Sequence, residues 1–256
     1  MYIFCTMFRH WESFYRGLLI SGATILLLNT QSHALILDWD TVSWPSGSMQ
    51  QSYDIDSNNP GNDITVSISS SALYLSPQLS KTYTGGLQPP ENSLELQALF
   101  LSGQSVAVTI DFHYEQGVRD ISFNLFDVDK GVWLLFFPYT DRIQEIKGRD
   151  LLGQAVAATS VIGSENNIVE GKGLNTVVTG TGTAPNDSGS GNVQINFGSI
   201  PVNQVSFKFV PAAGLSSYGI AVHDINFTPV PEPNSAIITA ILCGLFGYWR
   251  MFRHQK

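Results

Sequence analysis

The feature that most restricts this chain is a period of two. In Val106–Tyr114 (VAVTIDFHY), Val106, Val108, Ile110, Phe112 and Tyr114 fall on one side. Ile121–Leu125, Val193–Phe197 and Val205–Phe209 alternate in the same way, and Leu94–Ala98 starts another such segment. A strand places successive side chains on opposite faces, so each segment is greasy on one side and polar on the other. Such strands bury their apolar faces by packing two antiparallel sheets against each other. Turn-rich stretches separate them, among them Asn58–Asn62 and Ala184–Gly191. No long amphipathic segment interrupts the pattern. The expectation is an all-β fold: a single antiparallel sandwich of jelly-roll type, with about ten short strands, over residues 35–229.

One segment carries a defect in its period. Ile220 and Val222 are even, whereas Ile225 and Phe227 are odd. The phase slips at His223-Asp224, and a bulge there would keep both halves facing the core.

The ends differ from this body. Leu35–Pro229 holds 19 acidic residues against 8 basic ones, a balance of -11. That charge excludes a nucleic-acid binder, whose phosphate contacts need clustered Lys and Arg. Cys5 and Cys243 lie outside the body, so it has neither a disulfide framework nor a thiolate metal site. Residues 1–34 read as a signal peptide, with an uncleaved anchor as the alternative. Arg9 and Arg16 precede the apolar run Leu18–Leu28, and Ser32-His33-Ala34 puts small residues before a cut ahead of Leu35. This implies Sec-type export machinery and signal peptidase as partners. At the other end, Ala236–Trp249 is an uncharged run that reads as a short transmembrane helix, with Tyr248 and Trp249 at its rim and Arg250 and Arg253 beyond.

Val230-Pro231-Glu232-Pro233, the helix 236–249, and Arg250 with Arg253 occur in fixed order at the C-terminus. This arrangement over 230–256 resembles the PEP-CTERM sorting signal. The resemblance implies an exosortase substrate: a precursor anchored in the inner membrane of a Gram-negative-type bacterium, cut near the motif by a membrane-embedded transpeptidase-like enzyme. The mature body would reside at the cell surface or in extracellular matrix. The two prolines fix φ and favour extended neighbours, a form that a protease-like site accepts. Here Met251 and Phe252 split the arginines. The body, through Leu37–Pro45 (LDWDTVSWP) and Phe126-Asp-Val-Asp129, is similar to the choice-of-anchor surface sandwich domains that carry such tails.

Motifs for chemistry are few. With His113 and His223 as the body's only histidines, a Ser-His-Asp triad or histidine metal site has little to draw on. No nucleophile elbow, His-Glu-x-x-His or phosphate-cradling glycine loop occurs. Asp127-x-Asp129, which leaves an apolar strand, suggests a structural Ca²⁺ held with Asp141 and a late aspartate such as Asp224, since Ca²⁺ takes 6–8 hard oxygens. The alternative is strand termination, with the aspartates pairing to Lys130 or Arg142. Asp54-x-Asp56-x-Asn58 with Asp63 is a weaker oxygen cluster, lacking the glycine and glutamate of an EF-hand and equally readable as a self-capped hairpin end. Trp39 and Trp133 are candidate sugar-stacking faces. The apolar run Gly131–Pro138 favours instead a strand buried on both faces. The expected role is a non-enzymatic structural or adhesive surface protein. The alternatives are an exopolysaccharide-binding module and a polysaccharide-acting hydrolase.

Overall fold

The computed structural model describes residues 33–133, 137–212 and 216–232. The signal-peptide segment through Ser32, Pro233, the 236–249 helix, Arg250 and Arg253 lie outside the described residues. Among those described, no helix is long and apolar enough to cross a membrane. His33–Val230 is one compact unit.

Its strands, in chain order, are β1 (Leu35–Leu37), β2 (Gln50–Tyr53), β3 (Ile64–Ser70), β4 (Tyr74–Ser80), β5 (Ser93–Phe100), β6 (Val106–Phe112), β7 (Val118–Phe126), β8 (Lys130–Trp133) and β9 (Phe137–Arg149). They continue as β10 (Ala155–Ala157), β11 (Ser160–Gly163), β12 (Asn167–Glu170), β13 (Val177–Gly180), β14 (Val193–Phe197), β15 (Gln204–Pro211), β16 (Ser216–Val222) and β17 (Ile225–Pro229). One 3₁₀ turn, Gly173–Asn175, is the sole described helical element.

The strands form two antiparallel sheets, as the alternation requires. The first has eight strands in the order β1-β17-β7-β16-β5-β4, with β14 on β7 and β11 on β14. The second has nine, in the order β12-β13-β9-β15-β6-β3-β2, with β8 and β10 also on β9. Burial follows the period of two: Val106, Val108, Ile110 and Phe112 of β6 are buried, and the residues between them are not. Aromatic pairs bridge the sheets. Phe100 of β5 meets Phe209 of β15 edge-on at 5.3 Å, Phe123 of β7 stacks near Phe207 of β15 at 6.1 Å, and Phe112 of β6 lies 4.9 Å from Phe227 of β17. Each such fully buried side chain contributes about 1.5–3 kcal/mol over leaving it exposed.

The phase slip is a bulge. Val222 lies opposite Leu125 and Asn226 opposite Ser122, so four steps on β16–β17 match three on β7. The His223 N–H still donates to the Asn124 carbonyl at 2.9 Å.

Two expectations need correction. Among the described residues there are seventeen strands rather than about ten. The extra ones are mostly three or four residues long, too short to display a period. The Gly131–Pro138 run is not one buried strand. Its flanks belong to β8 and β9, which pair antiparallel with Trp133 opposite Phe137, and Val132 is 61% exposed. An apolar run alone does not reveal where a chain reverses.

The first sheet is also covered on its outer face. Segment 81–92, between β4 and β5, and loop 181–192, between β13 and β14, close over it. The Thr84 N–H donates to the Asn186 carbonyl, and the Asn192 amide to the Gly85 carbonyl, both at 2.9 Å. Gly85 lies so close to Phe126 that a Cβ there would sit 2.4 Å from the ring. Under this cover Glu95, Phe126, Ala221 and His223 are buried.

Candidate functional site

β7 of the first sheet ends at Phe126, and β8 of the second begins at Lys130. The crossover between the sheets is therefore Asp127-Val128-Asp129. Val128 is fully buried in the core. Asp127 adopts φ 64°, a left-handed conformation that aspartate tolerates better than most residues. Gly180 makes room for the crossover, since a Cβ on it would lie 2.0 Å from the Asp129 carbonyl oxygen.

This path brings Asp127, Asp129 and Asp141 to one region, and β5 adds Glu95. Asp129 and Asp141 are fully buried, and Glu95 is 1% exposed. Asp129 and Asp141 lock together: the Asp141 N–H donates to the Asp129 carbonyl at 2.9 Å, and the Asp129 N–H to Asp141 Oδ2 at 3.3 Å. Asp129 Oδ2 accepts the Ala184 N–H at 2.8 Å, and the Tyr139 hydroxyl hydrogen-bonds the same carboxyl. The Gln97 amide donates to Glu95 Oε1. One oxygen of each carboxyl stays buried without a hydrogen-bond partner: Asp127 Oδ1, Asp129 Oδ1, Asp141 Oδ1 and Glu95 Oε2.

Among the described residues, none of the four carboxylates has an ion pair. Pairing to Lys130 or Arg142 is thus not what holds them. Removing an unpaired carboxylate from water costs several kcal/mol. Burial accordingly pushes Asp127 up to about 8, with Asp129 and Glu95 adding repulsion. Burial also raises Asp129. It raises Asp141 well above the ordinary carboxylate range, and Asp129 and then Asp127 push it further. Neutrality must come from protons or from a cation. The orphaned oxygens are the donor set that a hard cation such as Ca²⁺ takes.

Asp224 does not join this group. It sits at the bulge, where burial raises its pKa, its Oδ1 accepts the Trp39 N–H at 3.1 Å, and His223, Asp38 and Glu91 are its titratable neighbours. Glu95 was not readable as a member. It occupies a polar position between Leu94 and Leu96, which in an alternating strand means solvent, and only the distant cover segments bury it.

The Asp54–Asp63 loop is self-capped. Asp63 Oδ2 accepts the Ile55 and Asp56 N–H groups, and Oδ1 accepts the Asn59 amide, all at 2.6 Å. Asp56 Oδ1 caps Asn58. Trp39 offers no face to a sugar: it is fully buried, edge-on to Trp44 at 6.3 Å and to Tyr53 at 6.2 Å. The Trp133 backbone lies in β8, and its side chain is outside the described residues. Asp129 and Asp141 are closed to any polymer by their complete burial.

No family model and no curated protein matches the chain. Solved structures give loose likenesses. The family 11 carbohydrate-binding module of the cellulosomal cellulase Lic26A-Cel5E of Clostridium thermocellum is 12% identical, with 80% of this chain and 99% of that one covered and a TM-score of 0.32. The carbohydrate-binding module TmCBM27, studied for specific mannan recognition, is 10% identical over 64% of this chain and 89% of its own, with a TM-score of 0.33. The N-terminal domain of the Streptococcus gordonii adhesin Sgo0707 is 8% identical over 78% and 51%, with a TM-score of 0.37. Likenesses this loose carry nothing about function.

Proposed function

We propose that this chain is an exported, non-enzymatic bacterial surface or extracellular-matrix protein, sorted through its Pro-Glu-Pro segment. The observation that carries the reading is where the fold lets go of the chain. β17 ends at Pro229, and the Val230 N–H donates to the Gly117 carbonyl at 3.0 Å. Pro231 and Glu232 are exposed. The motif thus begins where the sandwich stops holding the backbone, which suits an enzyme that must grip an extended segment. In this reading an exosortase-like enzyme cuts the inner-membrane precursor there and frees the acidic body. The finer jelly-roll description is supported by the alternation of β5, β6, β7, β9, β14, β15 and β16 between the two sheets.

In the same reading Glu95, Asp127, Asp129 and Asp141 hold a structural Ca²⁺. Extracellular Ca²⁺ modules bind with dissociation constants of about 10⁻⁴–10⁻³ M, matched to an exported protein. In a body without cysteine, the ion would take the place of a covalent staple. No three of these carboxylates bring donor atoms within 4.8 Å of one another, so an ion would draw them inward.

Mass spectrometry of the mature C-terminus in the producing cell tests the sorting. Processing gives a species ending near Pro231–Pro233, and Glu232→Ala leaves an uncut, membrane-bound precursor. A mature species that still ends at Lys256 overturns the reading.

Binding of exopolysaccharide is the second reading. The observation that favours it is Tyr74, 59% exposed on edge strand β4 beside the exposed Leu73. Binding across a glycan panel that is lost in Tyr74→Ala would support it, and flat isotherms would remove it.

A further inference from the structure

The bulge at 223–224 does more than keep a strand in phase. In a regular strand His223 and Asp224 would point to opposite faces. Here His223 Nε2 lies 3.9 Å from Asp224 Oδ2 and 3.5 Å from Glu91 Oε2. Among the described residues, this is the one trio of potential metal-ligand side chains whose donor atoms all lie within 4.8 Å of one another. We propose that Glu91, His223 and Asp224 form a binding site for a divalent transition metal of the Zn²⁺ class, separate from the buried carboxylate cluster.

The separations favour a shared ion over hydrogen bonds. A good N–H···O bond spans about 2.7–3.2 Å, and both carboxylates are farther than that from the ring nitrogen. Two ligands of one tetrahedral Zn²⁺, each at about 2.0–2.1 Å, stand about 3.3 Å apart. A small inward movement therefore closes the trio on an ion.

The partners behind the ligands fit as well. His223 Nδ1 lies 3.3 Å from Ser93 Oγ, which can take its proton and leave the Nε2 lone pair facing the carboxylates. Without an ion or a second proton, that arrangement sets a lone pair against two anions. Phe126 stacks on the imidazole at 4.8 Å and fixes its plane. The Trp39 N–H occupies Asp224 Oδ1 and leaves Oδ2 for the metal. His223 is 9% exposed, whereas the Glu91 side chain is 44% exposed. One side of the site is therefore open, for the ion to enter and for water to complete its coordination. One imidazole with two carboxylates is a donor set suited to Zn²⁺ and its neighbours rather than to Ca²⁺.

The test uses the full-length protein with Ca²⁺ present throughout, so that the carboxylate cluster stays saturated. Co²⁺ titration should give a one-to-one visible absorption band that Zn²⁺ displaces. Zn²⁺ at about 100 times its dissociation constant should raise the melting temperature by about 5–11 °C. Glu91→Gln and His223→Gln should each weaken Zn²⁺ binding by about tenfold or more, as loss of one ligand does. Glu170→Gln, at an exposed position of β12, should leave it unchanged. Glu91→Gln alters an exposed side chain, so it keeps the test decisive even if His223→Gln misfolds. The proposal is overturned by absence of one-to-one binding, by undiminished binding in Glu91→Gln, or by stability that responds to pH and not to metal. That last result would mark a plain imidazolium ion pair.

Discussion

Asp141→Asn separates a cation site from a set of buried protons. Asp141 is fully buried and its carboxyl is held well above the ordinary range. Asparagine keeps its shape and an acceptor for the Asp129 N–H but cannot carry charge. Without a cation, the wild-type cluster binds protons that the unfolded chain releases. Asp127 shows the sign: burial pushes it up to about 8 in the fold, from an ordinary carboxylate value of about 3.9. The contribution is fully present below about pH 4 and is lost as pH rises to about 8, because the unfolded state then holds fewer protons. At 1.36 kcal/mol per unit the loss from this group alone is on the order of 5 kcal/mol. Ca²⁺ should reverse the trend by replacing the protons. With a dissociation constant of about 10⁻⁴ M, about 10 mM Ca²⁺ adds about 2.7 kcal/mol. For a body of this size that is about 5–11 °C in melting temperature. Scanning calorimetry near pH 5 and near pH 8, with Ca²⁺ or with chelator, should show the larger Ca²⁺ shift at the higher pH. In Asp141→Asn the metal-free protein should melt higher near pH 8, and the Ca²⁺ shift should shrink to about 2 °C or less. A wild type indifferent to Ca²⁺ near pH 8, or a variant that shifts as far as wild type, would refute the reasoning.

Trp39→Ala should cost about 3–5 kcal/mol of stability, seen in denaturant unfolding, because a fully buried indole is removed; an unchanged midpoint would contradict its place in the core. Gly180→Ala should cost more than about 3 kcal/mol and weaken the Ca²⁺ response, since the new methyl meets the Asp129 carbonyl at 2.0 Å; thermal melts with and without Ca²⁺ check both effects.

Some of this was written in the sequence. The alternation of Val106–Phe112, Ile121–Leu125, Val193–Phe197 and Val205–Phe209 predicts β6, β14 and parts of β7 and β15, because a two-sheet core demands it locally. The slip at His223-Asp224 predicts the bulge for the same reason. The gathering of Asp127 and Asp129 with Asp141 was likewise suggested by a strand that ends in two acids. Glu95 and Glu91 were not legible. They matter because segments 81–92 and 181–192 fold over the outside of the first sheet, and a cover supplied by distant chain leaves no period behind. The sequence shows that Asp224 is acidic and late, not which side of the sheet it faces, so its place beside His223 and Glu91 is visible only in the structure. Trp39 reads equally as platform or core, and only its packing against Trp44 and Tyr53 decides.

The last two strands have a consequence for when this molecule can exist as a fold. β16 lies between β5 and β7, and β17 lies between β1 and β7, so the final segment of the body fills the middle of the first sheet rather than its rim. The first sheet stays open until that segment is made. A domain wired through contacts this distant folds slowly, because long loops must close before pairing rewards them. A chain threading through a membrane N-terminus first would therefore remain pliable until residues 216–229 emerge, and its closure would coincide with completion of its passage.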